Sequence, residues 1–253
     1  HTLRSAQRIP TAEIVAAHRG AKQILIDEIN AQGPHGFEVD RFTIGFARRV
    51  TSYKRLTLLL RDVGRLRDIA SRWGSLQIVF SGKAHPKDHE GKRLIEAVFR
   101  QQEALRPYVR MVFLPGYDMR LCGRIVAGVD LWLNTPTAPL EASGTSGMKA
   151  AHNGVPNFSV RDGWWCEGYI AGHTGWVIEP THTGDTPADE QDAQRLYRVL
   201  DEEILSMYFG NQKRWAEMMR DCIALAASYF NTNRMLEEYA TRAYGLSLPI
   251  GRR

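Results

Sequence analysis

Cysteine is scarce in this sequence. Cys122, Cys166 and Cys222 are the only three in 253 residues, too few and too widely spaced for a disulfide framework or a zinc site. No secretory-type segment opens the sequence, so the expected setting is reducing and cytoplasmic, and no metal is expected. Long apolar runs are missing too: no stretch of about 18 residues is apolar enough to span a bilayer, which excludes a helical membrane protein. A large charge excess is also absent. The balance of 33 Lys and Arg against 28 Asp and Glu leaves +5, spread along the chain without the basic–aromatic interleaving or module signature of a nucleic-acid binder. Such a balance suits a pocket for phosphate groups as well as an ordinary solvated surface.

What is present is ordinary globular composition, 43% hydrophobic and 24% charged, over a length that buries one sizeable core. "TAEIVAAHRGAKQILIDEINAQ" predicts a helix over 11–31, with Thr11 as N-cap and apolar residues at Ile14, Val15, Ala21, Ile24 and Ile26. Short β-branched runs then alternate with amphipathic segments. "RFTIGF", "LQIVFSG", "VRMVFLPG", "VDLWLN" and "VPNFSV" read as five strands, apolar throughout as in a parallel sheet covered on both faces. The whole is an α/β chain built of βαβ units. A loop rich in Thr, Gly, Pro and Asp follows "GHTGWVI", and helical patterns fill about 189–245.

In an open parallel sheet, ligands sit beyond the carboxyl ends of the strands, where loops meet helix starts. Three such loops carry chemistry. "ARRVTSYKR" concentrates Arg48, Arg49, Lys54 and Arg55 beside Tyr53, "GKAHPKD" follows the second strand, and "NTPTAPLEASGTSGMK" follows the fourth. Dense cations at a helix start suit a dianionic phosphate. In the third loop the small residues let backbone N–H groups approach a ligand, with Thr145 or Ser146 opening a helix. Lys149 falls one turn in, where it is a phosphate contact, a Schiff-base amine or a surface lysine.

Two look-alike motifs fail. A P-loop needs Gly-Lys followed by Ser or Thr, but Met148 precedes Lys149 and Ala150 follows it. Ser146-Gly147-Met148-Lys149 matches the S-x-x-K of penicillin-recognising serine enzymes, yet no K-T-G or S-D-N accompanies it.

Taken together, "EASGTSGMKAAHNG", "IGFARRVTSYKR", "FSGKAHPKD" and "GYDM" resemble the carboxy-terminal domain of α-glucan (glycogen, starch or maltodextrin) phosphorylases, in the short bacterial-type branch. The resemblance runs from the first helix to about Leu246. It implies a doubly wound parallel sheet, the Rossmann-like lobe of a two-lobed glycosyltransferase fold with extra C-terminal helices, and one such lobe over 1–253 without its amino-terminal partner. It implies the transfer of a terminal glucosyl unit from an α-1,4-glucan or maltodextrin to inorganic phosphate, giving α-glucose 1-phosphate with retention.

The cofactor implied is pyridoxal 5′-phosphate, whose phosphate takes part in proton transfer. By resemblance Lys149 is its Schiff-base lysine, Gly144, Thr145 and Ser146 hold its phosphate, Arg48 is a cationic neighbour standing where the family has lysine, and Tyr117 lies beside the ring. Arg49 and Lys54 match the pair that grips substrate phosphate, so that with Lys149 they form the expected catalytic set. Glu141, Ser143 and Gly144 match readers of glucose hydroxyls, and Tyr53 lies near the sugar. Asp118 replaces an arginine and Gly147 an asparagine of the animal and plant enzymes, and "DGWWCEGY" departs from their "DGAN", leaving Trp164, Trp165 and Glu167 without a carried-over role. Two alternatives remain: a lobe of a nucleotide-sugar glycosyltransferase, and a binding module that keeps cofactor or sugar affinity without turnover. The expected partners are glucan, phosphate and the amino-terminal lobe, with no nucleic acid and no membrane, and a homo-oligomer is compatible with the family.

Overall fold

Six strands run parallel in one sheet: β1 Thr43–Arg49, β2 Leu76–Lys83, β3 Val109–Leu114, β4 Leu131–Asn134, β5 Asn157–Val160 and β6 Gly175–Ile178, in the order β3-β2-β1-β4-β5-β6. The structure is a computed structural model, and it describes residues 2–74, 76–181 and 188–246. The sixth strand is one more than the sequence pattern suggests. Its four residues sit in a Trp- and Gly-rich stretch, and they become a strand by pairing with β5 from Asn157↔Gly175 to Val160↔Ile178. Part of the Thr/Gly/Pro/Asp loop, 182–187, lies outside the described residues.

The first four strands read as apolar runs because each feeds two cores. Ile44, Phe46, Ile78 and Phe80 join one cluster, whereas Ala47, Val79 and Trp132 between them join the other, as the two-residue period of a strand requires. The second cluster is closed by α1 (Thr11–Ala31) and α4 (Met119–Gly128), which contribute Leu25, Ile26, Ile29, Leu121, Ile125 and Val126. Burying the three α1 side chains contributes about 5–9 kcal/mol in transfer terms, enough to fix that helix on the sheet. Val15 and Ile24, apolar and in helical register, lie instead on the solvent side, 41% and 47% exposed. Thr11 is not the N-cap. Pro10 takes that place with φ −55° and ψ 132°, Thr11 is the first helical residue, and no side chain caps the helix.

The opposite face is covered by α2 (Val63–Trp73), α3 (His89–Leu105) and α7 (Ala188–Val199), through Leu66, Ile69, Val98, Leu105 and Leu196. Between β5 and β6 lies the single turn α6 (Trp165–Gly168). The chain continues from α7 through a π-helical stretch, Leu200–Leu205, into α8 (Ser206–Gly210). Then come α9 (Gln212–Asp221), extended by Cys222–Ala227, and α10 (Thr232–Glu238). Among the described residues no helix is long and apolar enough to cross a membrane.

The order of strands reverses between β1 and β4. From β1 the chain moves outward to β2 and β3, and from β4 outward to β5 and β6, so the connections diverge and open a crevice beyond the carboxyl ends of β1 and β4. The remaining short helix, α5 (Thr145–His152), starts at that crevice.

Candidate functional site

The end of β1 sends consecutive arginines in different directions. Arg48 is buried and Arg49 exposed, the alternation expected of a strand. A short 3-10 turn, Ser52–Lys54, then returns the chain so that Lys54 is buried as well. Lys54 Nζ donates to Glu141 Oε2, and Arg48 Nη1 lies 3.3 Å from the same oxygen. The three side chains are each at most 9% exposed. Lys54 also sits 4.5 Å from the centre of the Tyr53 ring, and Arg48 5.6 Å from that of Phe46, both within cation–π range.

This cluster holds two cations against one carboxylate. Burial pulls the Arg48 guanidinium below its ordinary value, and Glu141 offsets that pull without cancelling it. Although it approaches Glu141, Arg48 Nη1 makes no hydrogen bond. A buried charged donor left unbonded is costly and marks a position suited to a further acceptor.

Glu141 is fixed by its backbone. Its N–H donates to Asp162 Oδ2 at 2.8 Å while the Gly163 N–H donates to Asp162 Oδ1 at 2.8 Å, and Trp164 N–H donates to the Ser143 carbonyl at 2.8 Å. The 141–144 loop is thereby tied to the turn after β5. Gly144 stands at φ +85° as the N-cap of α5, a left-handed conformation that favours glycine. With no side chain capping this helix, the N–H groups of Thr145 and Ser146 are left over by the helical pattern and are available to an anion. Thr145 and Lys149, four residues apart, share one exposed face of α5, while Gly147, Ala150 and Ala151 bury the other. Tyr117, on the loop after β3, is half-buried and its hydroxyl donates to the Ala47 carbonyl at 3.4 Å. Burial, together with a hydrogen bond to Cys122, pushes that phenol above its ordinary value, so it is a neutral wall at working pH.

The structure thus brings Arg48, Lys54 and Glu141 into contact, with Tyr53 against Lys54. Arg49 has no ion pair among the described residues and stands exposed at the strand end. Arg55, counted in the sequence among the cations available to a phosphate, is an anchor instead. It is 7% exposed, and its guanidinium bonds the Thr135 and Pro136 carbonyls at 2.9 Å and the carboxylates of Asp189 and Asp192 at 2.9 and 2.8 Å. Its backbone is left-handed at φ +47°, which no local residue preference announces. The "GKAHPKD" loop supplies an N-cap, Asp88 accepting from Gly91 N–H at 2.8 Å, and its Lys83 stands exposed in register with Arg49. Asp118 does the same for α4, accepting from Leu121 N–H at 2.7 Å.

Two departures acquire reasons. A β-carbon on Gly147 would lie 2.5 Å from Asn157 Oδ1 and 2.8 Å from Trp164 Nε1, so this chain has no room for the side chain carried by the longer enzymes. Trp164 and Trp165 are 3% and 0% exposed and 5.0 Å apart, and Trp165 Nε1 donates to the Trp176 carbonyl at 3.0 Å. They are packing residues beneath the site. Asp162 is the supporting residue that pattern reading passed over, although Asp162-Gly163 is a turn signal in plain view.

A sequence profile of the carbohydrate phosphorylase family matches residues 7–168. The maltodextrin phosphorylase of Thermococcus litoralis is 42% identical over 257 residues, which cover 96% of this chain and 31% of the relative. The glycogen phosphorylase of Aquifex aeolicus is 42% identical over 81% of this chain and 30% of the relative, and that of Mycobacterium bovis 41% identical over 82% and 25%. The chain therefore spans less than a third of the length of these relatives.

Proposed function

The chain belongs to the carbohydrate phosphorylase family, and on that footing we propose that it is the cofactor-bearing lobe of an α-glucan phosphorylase, moving a terminal glucosyl unit from an α-1,4-glucan to inorganic phosphate. The observation that carries this reading is the buried Arg48 donor without a hydrogen bond, next to Lys54 and Glu141, at the sheet edge where the uncapped α5 presents Lys149. Nothing in a purely structural ion pair calls for a spare donor and an open helix start at one place.

Pyridoxal phosphate fits these residues. Lys149 would hold it through its amine, the Gly144–Ser146 turn and Arg48 would take its phosphate, and the Tyr117 ring would flank it. When bound, it supplies a phosphate group able to exchange a proton with the substrate phosphate. The chain's own residues do the rest. Arg49 and Lys54 neutralise the incoming dianion, which lets it approach another phosphate against their repulsion. Glu141 accepts from glucosyl hydroxyls while the Ser143 and Gly144 N–H groups donate to them, so the sugar is oriented before its bond breaks. As the glycosidic oxygen departs with a proton, a phosphate oxygen bonds the anomeric carbon on the face just vacated, and configuration is retained.

Lys149 is on an exposed face, and one lobe leaves that face open to water. A second, amino-terminal lobe closing over it supplies the exclusion that the transfer requires. The site is tested by borohydride reduction in the presence of pyridoxal phosphate followed by peptide mapping. A pyridoxyl group on Lys149 is expected; labelling scattered over surface lysines refutes the assignment.

A further inference from the structure

The last residues of β1 and β2 stand side by side. Register pairs Arg48 with Gly82 and Arg49 with Lys83, and the pairing holds beyond them, the Val50 N–H donating to the Lys83 carbonyl at 3.0 Å. The strands close tightly here because Gly82 has no side chain; a β-carbon on it would lie 2.3 Å from the Arg48 carbonyl oxygen. Registered neighbours in adjacent strands are about 4.8 Å apart, and their side chains rise on one face. Arg49 and Lys83 therefore project together from paired backbone, and both are exposed. By the two-residue period they share that face with Ala47 and Val79, whose cluster includes Ala150 of α5 and has Tyr117 packed against it.

Like charges in direct register repel, and a nearby carboxylate is the usual answer. Elsewhere this chain supplies one. Arg110 of β3 is met by Glu38 at 2.7 Å. Before the first residue of β4, Asp130 meets Lys22 at 2.6 Å; burial favours the protonated acid there, yet Lys22 and His18 outweigh it and hold the carboxyl below the usual range. Arg49 and Lys83 have no ion pair among the described residues. Asp88, the one carboxylate of the "GKAHPKD" loop, is turned to the Gly91 N–H, and Glu141 already serves Arg48 and Lys54. Two cations fixed by strand register without a counter-charge, at the sheet edge where the site lies, suit a dianion that takes a donor from each.

We propose that Lys83 is a substrate-phosphate residue, forming with Arg49 an outer docking position that captures phosphate before it reaches Lys54. This assignment rests on the phosphorylase reading and is tested in an enzyme with both lobes, by initial rates at saturating maltoheptaose. Lys83→Met is expected to raise the KM for phosphate about 5- to 10-fold, the loss of one charged contact. Its kcat stays within about twofold of the parent's and its KM for maltoheptaose is unchanged, as for a group that acts in binding. Lys83→Arg, which keeps the charge, restores the phosphate KM to within about twofold. Because exposed charges are screened, the ratio of the Lys83→Met KM to the parent KM falls as NaCl rises from about 0.05 to about 0.5 M. Arg93→Met, which removes an exposed charge on α3, leaves the phosphate KM unchanged. Urea unfolding of Lys83→Met gives a midpoint equal to or above the parent's, since one of two repelling charges is gone. An unchanged phosphate KM in Lys83→Met, a ratio indifferent to salt, an equal rise in Arg93→Met, or a rise that comes with a lowered urea midpoint would overturn the proposal and leave the phosphorylase reading standing. A parent enzyme that consumes no phosphate would overturn both.

Discussion

Replacing Glu141 by glutamine removes one charge and little volume, and the geometry says how much that charge matters. Arg48 and Lys54 approach the same oxygen, Arg48 from 3.3 Å, so the two cations lie within about 6 Å of one another. At an effective dielectric constant of about 20 their mutual repulsion is about 3 kcal/mol. In the parent chain the carboxylate more than cancels it. Without the carboxylate the repulsion stands alone in a site where all three groups are at most 9% exposed, and the desolvation of both cations is uncompensated. Glu141→Gln is therefore expected to cost about 3–5 kcal/mol, the range for leaving a buried charge unpaired. Lys54→Met, which keeps the Arg48–Glu141 pair and ends the repulsion, is expected to cost about 1–2 kcal/mol, the scale of one charged hydrogen bond.

The decisive quantity is the double mutant. Glu141→Gln with Lys54→Met removes the repulsion as well as the pair, so it should be more stable than Glu141→Gln alone, an interaction term of opposite sign to ordinary additive damage. Urea unfolding at constant m-value reads all three. A Glu141→Gln variant within about 0.5 kcal/mol of the parent, the usual range for a surface change, or a double mutant no more stable than that single one, would refute the argument that electrostatics organises this cluster.

Other outcomes follow from the same structure. Gly147→Ala is expected to cost about 1–3 kcal/mol by overpacking Asn157 and Trp164, read as a lowered urea midpoint; a neutral result would mean that α5 shifts freely. Because the folded-state pKa of Asp130 is lowered, its contribution to stability is complete above the unfolded value and is lost as pH falls through the folded one. The stability gap between parent and Asp130→Asn should thus be widest at neutral pH and shrink below about pH 4, and a pH-independent gap would contradict that. Arg49→Ala in an enzyme with both lobes should reduce phosphate use by about 10- to 1,000-fold without lowering stability, since Arg49 is exposed and has no ion pair among the described residues; unchanged phosphate kinetics would return it to the solvated surface. The 253-residue chain alone, loaded with pyridoxal phosphate, should release no glucose 1-phosphate from maltoheptaose, and robust turnover would contradict the two-lobe reading.

The parallel sheet was legible because both of its faces are buried, which turns β1 and β2 into apolar runs that no loop imitates. β6 was not, because "GWVI" gains its identity from β5 rather than from its own composition. Within the site, the glycines of "EASGTSGMK" announced a backbone that most side chains would strain, and Gly144 stands at φ +85°. The sorting of the four cations in "ARRVTSYKR" was beyond sequence. Arg48, Lys54 and Arg55 are all buried, but the partners that distinguish them, Glu141, Thr135, Asp189 and Asp192, lie 80 or more positions away. Only the fold decides which cation is spent on architecture.

That division separates the cations that hold the fold from those that keep donors for an anion. Arg55 has four of its five donors bonded to protein oxygens, two of them on carboxylates, so an arriving anion gains little from it. Arg48 and Lys54 share one carboxylate oxygen, which leaves net positive charge and an unbonded Arg48 donor. A lone carboxylate is enough to make the two cations tolerable in the folded chain and too little to satisfy them. An anion arriving beside Glu141 would relieve the remaining repulsion rather than compete for a saturated pair, and the carboxylate would then be freer to accept from a neutral hydroxyl. On the proposed reading, Glu141 is thus both the counter-charge that lets Arg48 and Lys54 be buried together and the acceptor that orients the sugar once phosphate has come.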